Sequence, residues 1–140
     1  MPAVMSRVES VRMMREASSA EPTRKTAKTP WLFFYISQPK TDYILIPETS
    51  SENRDYIPLG FVSKDVISSN AAYHIPDASM YTFGIIQSTM HMAWMRAVGG
   101  RLKSDYRYSG SLVYNTFPWP ENPTDEQKKT VEDAAQAVLD

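Results

Sequence analysis

The chain has 140 residues, a net charge of −1, 42% hydrophobic residues and 22% charged residues. This composition is typical of a soluble globular protein, and the length suits one domain rather than two independent cores. The near-neutral charge argues against a protein that coats nucleic acid through overall charge, so any DNA contact must come from a local patch or from a larger protein around this one.

The absence of cysteine and of a long apolar run excludes further classes. Without cysteine there is neither a disulfide framework nor a thiolate metal site, which fits a reducing compartment. The longest uncharged run, residues 78–95, contains Ser, Thr, Gln and His, which indicates a buried helix rather than a membrane span. The first residues lack the apolar core of a signal peptide. We therefore expect a cytoplasmic protein with no membrane partner.

Two segments make up an N-terminal region of residues 1–29. Residues 2–16 place valines at helical spacing, which predicts a helix. Residues 18–29 are polar and basic, which predicts a mobile connector. We interpret the connector as a solvated linker, and an arm that binds DNA is the alternative.

Four short apolar segments predict the strands of a small, mostly antiparallel sheet. Trp31–Ile36 (WLFFYI) is a continuous apolar run between prolines, which is typical of a strand buried on both faces. Residues 42–47 repeat the pattern and could pair with it as an antiparallel neighbour. After a polar loop at residues 48–55, two further strands are expected at residues 56–63 and 72–75.

A long helix is expected from about Met80 to Val98. Asp77 or Ser79 can cap its first turn, since a short oxygen-bearing side chain there accepts a bond from an otherwise unpaired backbone amide. The next two residues are glycines, and they are expected to end the helix in the left-handed conformation. The chain would then lead directly into residues 101–108.

Near the end of the chain, Thr124 and Gln127 have the spacing of a capping box, which predicts another helix. Its apolar stripe is still in progress at Asp140, so residues 124–140 are expected to begin a longer helical region. The predicted fold class is therefore α+β, with a small, mostly antiparallel sheet packed with a long central helix and flanked by N- and C-terminal helices.

Few residues could carry catalysis. The two histidines, His74 and His91, lack a third ligand at a spacing suited to zinc. The five scattered glycines form no phosphate-binding loop, and no carboxylate pair lies in an apolar setting that would separate acid and base pKa values. We therefore expect a binding module with no catalytic residue and no metal site. A small hydrolase with His91 as its base is the enzymatic alternative.

The most informative stretch is residues 101–108 (RLKSDYRY). If it is extended, a period of two places four charged side chains on one side: Arg101, Lys103, Asp105 and Arg107. Lysine can donate to the major-groove acceptors of guanine, and a carboxylate can accept from the amine of cytosine. Lys103 and Asp105 would then read one G·C pair, with the two arginines available for phosphates. A solvated edge whose like charges deter strand pairing is the alternative, and the local pattern leaves both open.

The segment Phe117–Pro120 (FPWP) also has two interpretations. Aromatic residues between prolines can form a recognition peptide for a partner domain, which would make the chain a protein-interaction module acting through FPWPENP. They can also form a rigid strap that packs Trp119 onto its own domain. We favour the strap, because aromatic side chains bury a large area and isolated surface tryptophans are uncommon.

Three segments of the chain resemble the target-recognition region of MmeI-like enzymes: residues 38–63, 80–109 and 112–124. These type IIG/IIL enzymes are bacterial single-chain restriction-modification proteins, which combine an endonuclease with an adenine-specific DNA methyltransferase. The runs MHMAWMRAVGGRLKSDYRYS and VYNTFPWPENP are specific rather than generic, and the similarity covers nearly the whole chain.

The resemblance implies that residues 30–123 are a DNA target-recognition domain. Its expected partners are double-stranded DNA and the methyltransferase and nuclease domains of a longer parent chain. In such enzymes the positions of Lys103 and Asp105 are associated with the identity of one recognised base pair. Contacts to the DNA backbone, or auxiliary to base reading, are expected from Arg101, Arg107, Arg96, Ser109 and His91.

The family's catalytic motifs are not recognisable in this sequence. It lacks the Asn-Pro-Pro-aromatic tetrapeptide of the methyltransferase, its glycine-rich cofactor loop and a nuclease Asp…Glu-x-Lys set. The resemblance therefore implies a fragment without catalysis and without a cofactor of its own. S-adenosylmethionine and a divalent metal would be bound by the other domains of the parent.

Overall fold

The computed structural model describes residues 1–140, which separate into an N-terminal unit, residues 1–37, and a second unit, residues 38–140. The predicted α+β class is confirmed by α-helices together with two small antiparallel sheets. No helix combines the length and the apolar character that crossing a lipid bilayer requires.

The N-terminal unit contains helix α1 (Pro2–Glu16), helix α2 (Glu21–Lys25) and a 3₁₀ turn (Thr26–Lys28). The first helix was predicted, whereas the segment after it has helical turns in place of the expected connector. Arg15, near the end of α1, is buried. Its guanidinium donates to three backbone carbonyls, those of Thr26, Thr29 and Leu32. These bonds anchor the predicted linker to the helix and satisfy the buried cation.

 The predicted strand Trp31–Ile36 does not form, and this prediction is wrong. The segment pairs with no strand, and all of its side chains are exposed, from 40% for Phe34 to 83% for Phe33 and Tyr35. The prediction rested on apolar character alone, whereas a strand also needs a neighbour that pairs with its backbone. The N-terminal unit offers no such neighbour, because it contains no strand.

The second unit contains six strands: β1 (Tyr43–Pro47), β2 (Thr49–Ser50), β3 (Gly60–Val62), β4 (Ala72–Pro76), β5 (Gly100–Leu102) and β6 (Asp105–Arg107). They form two antiparallel sheets rather than one, in the orders β3-β1-β4 and β2-β6-β5. Glu48 joins the sheets, since its N–H donates to the carbonyl of Ala71 at 2.9 Å and its own carbonyl accepts from the N–H of Tyr108 at 2.7 Å.

The predicted long helix is two helices, α3 (Met80–Ile86) and α4 (Thr89–Val98). Ser79 caps α3 as predicted, because its hydroxyl accepts from the N–H of Thr82 at 3.1 Å. Ser88 interrupts the helix with an extended backbone, and its hydroxyl accepts from the N–H of His91 at 3.1 Å. A side chain that satisfies a free amide in this way begins a new helix, which is why α4 starts here.

Gly99 ends α4 without the left-handed conformation that was predicted. Its φ of −71° and ψ of 151° describe an extended backbone. The position requires glycine for space instead, because an added Cβ would lie 2.5 Å from the carbonyl oxygen of Met95. The chain can therefore pass directly from the helix into β5.

Helix α5 (Asp125–Leu139) begins at the predicted capping box. The hydroxyl of Thr124 accepts from the N–H of Gln127 at 3.2 Å, and the Gln127 side chain accepts from the N–H of Thr124 at 2.9 Å. The helix packs against α3. The core of the unit is formed mainly by β1, the two central helices and the segment after β6, through Ile44, Ile46, Phe83, Ile86, Met92, Met95, Tyr108 and Val113.

Replacing Gly84 with alanine is expected to destabilise the chain by about 1 kcal/mol. The added Cβ would lie 2.8 Å from Val131 Cγ1 and 3.1 Å from the Val131 carbonyl oxygen, where α3 meets α5. Overpacking of this kind costs roughly 1–3 kcal/mol, and the middle of this range exceeds the gain of about 1 kcal/mol in helix propensity by about 1 kcal/mol. Urea unfolding of the wild-type and variant chains measures the difference.

The matched control is Gly60→Ala in β3, where an added Cβ would meet no atom within 4 Å. Its free energy of unfolding should change by less than about 0.5 kcal/mol. A Gly84→Ala chain that is as stable as the wild type would show that the two helices do not need this close approach.

Candidate nucleic-acid interface

Residues 100–107 form a β-hairpin rather than the continuous strand that was predicted. Arg101 lies opposite Tyr106, and Leu102 lies opposite Asp105. The turn consists of Lys103 and Ser104, and Lys103 has a positive φ of 59°, as the first turn residue of a two-residue hairpin loop requires. The sequence did not reveal the turn, because lysine is not a typical turn residue and a single serine is a weak turn signal.

The hairpin separates the charged side chains that were predicted to form one row. Residues directly opposite each other in a ladder share one face of the sheet. Asp105 therefore shares a face with Leu102 and, two residues along the same strand, with Arg107, whereas Arg101 lies on the other face with Tyr106. Lys103 lies at the tip, in neither row. The predicted common side is correct only for Asp105 and Arg107.

Lys103 and Asp105, the predicted base-reading pair, lie at the exposed end of the hairpin. Lys103 is exposed and forms no ion pair. Asp105 is half-buried, and its Oδ1 accepts from the backbone N–H of Glu52 at 3.3 Å. One residue separates the pair, so their Cα atoms can be no more than about 7.6 Å apart. The tip thus combines a free cation with a carboxylate that has one engaged oxygen.

The two arginines of the hairpin are exposed and already have partners. Arg107 forms an ion pair with Glu48, with 2.6 Å between Nη2 and Oε1. Arg101 donates to the carbonyl of Ser104 at 2.9 Å, and its guanidinium lies 4.1 Å from the ring centroid of Tyr106, a cation–π contact. These contacts hold the Arg101 guanidinium against the hairpin and the Arg107 guanidinium against Glu48, between β1 and β2.

Arg96 connects α4 to the hairpin. Its Nε donates to the hydroxyl of Tyr106 at 3.2 Å, and its Nη2 donates to the carbonyl of Asp55 at 3.0 Å. Ser109 follows β6 and caps a π-helical turn (Gly110–Tyr114), accepting from the N–H of Leu112. Both residues are thus engaged beside the hairpin, and their contact with DNA stays a prediction.

His91 is fully buried, which leaves no surface for the DNA contact expected of it. Its Nε2 lies 3.0 Å from the hydroxyl of Tyr108, with which it shares a hydrogen bond. Burial lowers the pKa of His91 to about 4 and raises the pKa of Tyr108, so both groups are neutral at pH 7. The buried ring also has no access to a substrate, which removes the support for a hydrolase. Its role is to attach α4 to the segment after the hairpin.

The FPWP segment packs against the core, as the strap interpretation predicts. Phe117 is buried, with its ring centroid 4.6 Å from that of His91. Trp119 packs on Phe117 at 5.4 Å, and its indole donates to the carbonyl of Tyr114 at 3.3 Å. A recognition peptide would need these aromatic side chains free, so the structure favours the strap over the protein-interaction module.

Comparison with known proteins assigns the family. A family model described as the MmeI target recognition domain matches residues 1–121. The chain belongs to the MmeI target recognition domain family. This confirms the resemblance found in the sequence.

Two relatives match nearly the whole of this MmeI-type domain. The solved structure of the type IIL restriction-modification enzyme MmeI in complex with DNA matches with 62% sequence identity and a TM-score of 0.86, covering 99% of this chain and 18% of that one. DNA methyltransferase A of Bacillus subtilis (strain 168) is 46% identical over 139 residues, which are 99% of this chain and 16% of that protein. The chain therefore spans less than a fifth of the length of either relative.

A loop whose position the sequence did not reveal lies beside the hairpin of this target recognition domain. The sequence predicts a polar loop at residues 48–55, but these residues contain β2, which pairs with β6. The remainder reaches the hairpin through the bond from Glu52 to Asp105. Its polar side chains were visible in the sequence, whereas its position was not, because these partners are more than 50 residues apart in the chain.

Proposed function

We propose that this target recognition domain binds duplex DNA and reads part of a target sequence for a longer parent enzyme. Two relatives support the proposal, since MmeI was solved in complex with DNA and the Bacillus subtilis relative is named a DNA methyltransferase. The observation that carries it is the hairpin tip, where a lysine without an ion-pair partner and a carboxylate lie within two residues at an exposed turn.

The chemistry of the tip suits one G·C pair. The ammonium of Lys103 can donate to O6 and N7 of guanine, and the carboxylate of Asp105 can accept from the amine of cytosine. Oδ1 of Asp105 is engaged with the backbone of Glu52, which leaves Oδ2 for the base. A carboxylate is repelled by phosphates, so Asp105 is better suited to a base edge than to the DNA backbone.

The remaining contacts supply affinity rather than selectivity. Arg101 and Arg107 contact phosphates, while Arg96 and Ser109 contribute auxiliary contacts. Because the chain has a net charge of −1, most of the electrostatic attraction to DNA comes from the parent enzyme. That enzyme is cytoplasmic, methylates adenine with S-adenosylmethionine and cleaves DNA with a divalent metal, and both cofactors are bound by domains outside these residues.

Replacing Lys103 with alanine in the full-length parent should relax selection at one base pair. The lost contact is worth about 1–3 kcal/mol of discrimination, so the preference for the correct pair should fall roughly 5- to 150-fold. The other positions of the site should keep their preference. Sequencing of the methylated sites in DNA treated with each enzyme measures the change.

Lys129→Ala provides the matched control, because Lys129 is exposed on α5, pairs only with Asp133 and lies outside the residues matched by the family model. This variant should select the wild-type site. If Lys103→Ala also keeps the wild-type preference at every position, the lysine does not read a base.

A further inference from the structure

The loop of residues 51–55 (SENRD), the 51–55 loop, is held against the hairpin. It begins where β2 ends, at Ser50, which is paired with Tyr106 of β6. Farther along, the N–H of Glu52 donates to Oδ1 of Asp105 at 3.3 Å. At its end, Arg96 donates to the carbonyl of Asp55 at 3.0 Å. The loop is thus fixed at its start, middle and end to the elements that carry the hairpin tip.

The side chains of Glu52, Asn53 and Arg54 are free although the backbone of the loop is restrained. The N–H of Arg54 donates to the carbonyl of Ser51 at 3.1 Å, and the N–H of Asn53 donates to the hydroxyl of Ser51 at 3.3 Å. Glu52, Asn53 and Arg54 are all exposed, and none of their side chains forms an ion pair. A restrained backbone with free polar side chains suits recognition, because little backbone entropy is lost when a partner binds.

The residue types in the 51–55 loop match the edges of bases. Asparagine can form two hydrogen bonds with adenine, and arginine can form two with guanine. The backbone of this loop is bonded to Asp105, a predicted base-reading residue, so a duplex that reaches Asp105 also comes close to Asn53 and Arg54.

We propose that the 51–55 loop is a second base-reading element, in which Asn53 and Arg54 contact base pairs next to the pair read at the hairpin tip, and that Asp105 positions this loop. The inference rests on the proposed function. It gives Asp105 two roles, because one carboxylate oxygen holds the loop while the other is available for cytosine.

These two roles make different substitutions of Asp105 distinguishable. Alanine at position 105 has no acceptor for the N–H of Glu52, so Asp105→Ala should relax selection both at its own base pair and at the pair read by the loop. Asparagine keeps a carbonyl oxygen for that N–H. Asp105→Asn should therefore alter only the pair at the tip.

The direct test substitutes Asn53 and Arg54 separately with alanine in the full-length parent enzyme and maps its methylated sites. Each variant should lose roughly 5- to 150-fold of its preference at a base pair adjacent to the one affected by Lys103→Ala. Arg7→Ala is the matched control for Arg54→Ala, because Arg7 is exposed on α1, in the other unit. Arg7→Ala should leave the preference at every base pair of the recognised sequence unchanged.

The possible results separate this inference from the proposed function. If both loop variants keep the wild-type preference at every base pair while Lys103→Ala relaxes the preference at one pair, the second base-reading element is overturned and the proposed function stands. If the loop variants relax a pair while Lys103→Ala does not, the loop is supported and the role of the hairpin tip is overturned. If all three keep every preference, both proposals are overturned.

Hydrogen exchange of the full-length enzyme tests the positioning role of Asp105. The amides of the 51–55 loop should exchange roughly fivefold faster in Asp105→Ala, which corresponds to the loss of one hydrogen bond. They should exchange at the wild-type rate in Asp105→Asn, since the acceptor is restored. Equal exchange in the alanine variant and the wild type would overturn the positioning role.

Discussion

Exchanging the two charges at the hairpin tip, Lys103→Glu together with Asp105→Arg, is expected to reverse one G·C pair of the recognised sequence to C·G. The donor and the acceptor change places along the hairpin, so each meets its preferred base only when the pair is turned round. A discrimination of about 1–3 kcal/mol that changes sign shifts the preference between the two orientations by roughly 2–6 kcal/mol. Mapping the methylated or cleaved sites of the full-length enzyme measures this shift.

The turn should tolerate this exchange. Lys103 has a positive φ, a conformation that glutamate adopts at much the same cost as lysine, because both carry an unbranched Cβ. Arginine at position 105 has no acceptor for the N–H of Glu52, so weaker selection at the neighbouring pair should accompany the reversal.

The control for the charge exchange is Lys103→Ala together with Asp105→Ala. It removes both base contacts without supplying new ones, so it should accept either orientation of the pair. A charge-exchanged enzyme that is fully active on the unchanged wild-type site would exclude both residues from the readout.

Acidification is expected to lower the free energy of unfolding of the chain by about 3 kcal/mol between pH 7 and pH 4 through His91 alone. Burial lowers the pKa of His91 from the usual 6.5 to about 4 in the folded chain. Well above pH 6.5 the imidazole is neutral in both states and pH has no effect on stability through it. Below that pH the unfolded chain binds a proton that the folded chain excludes, so stability falls until the pH reaches the folded-state pKa.

Urea unfolding at pH 7, 5.5 and 4 measures this loss in the wild type and in His91→Gln. Glutamine can still bond to the hydroxyl of Tyr108 but does not titrate. The variant should be less stable at pH 7, by roughly 2 kcal/mol, because it fills the buried site less well. Between pH 7 and pH 4, this variant should not show the part of the loss in free energy of unfolding that is due to His91.

The other histidine provides the control for this effect. His74→Gln retains the buried imidazole of His91 and should therefore keep the acid loss that His91 causes. If His91→Gln and the wild type lose stability equally between pH 7 and pH 4, the buried imidazole is not the group responsible.

Local interactions in the second unit were largely predictable from the sequence. The capping box of Thr124 and Gln127 and the cap at Ser79 depend on residues three apart, so spacing alone identifies them. The same kind of signal was present at Ser88, which caps α4, but the apolar stripe running through it favoured one long helix. The strand Tyr43–Pro47 followed from its apolar, β-branched composition.

The sequence proposed residues for the candidate site but did not reveal their geometry. Specific runs of sequence identified the family and pointed to Lys103 and Asp105. Alternating charges over residues 101–107 are compatible with both an extended strand and a hairpin, since the turn residues lysine and serine give only a weak compositional signal. Pairing across the ladder then placed Arg101 on the opposite face from Asp105.

The sequence by itself determined the α+β class, several helix ends, the family and the residue types at the hairpin tip, because each depends on neighbouring residues or on runs of specific sequence. Only the tertiary structure decided that Trp31–Ile36 stays exposed, that β2 pairs with β6 and that the 51–55 loop lies beside Asp105. These features depend on which distant segments meet, and that choice follows from packing and backbone pairing across the whole unit rather than from any local pattern.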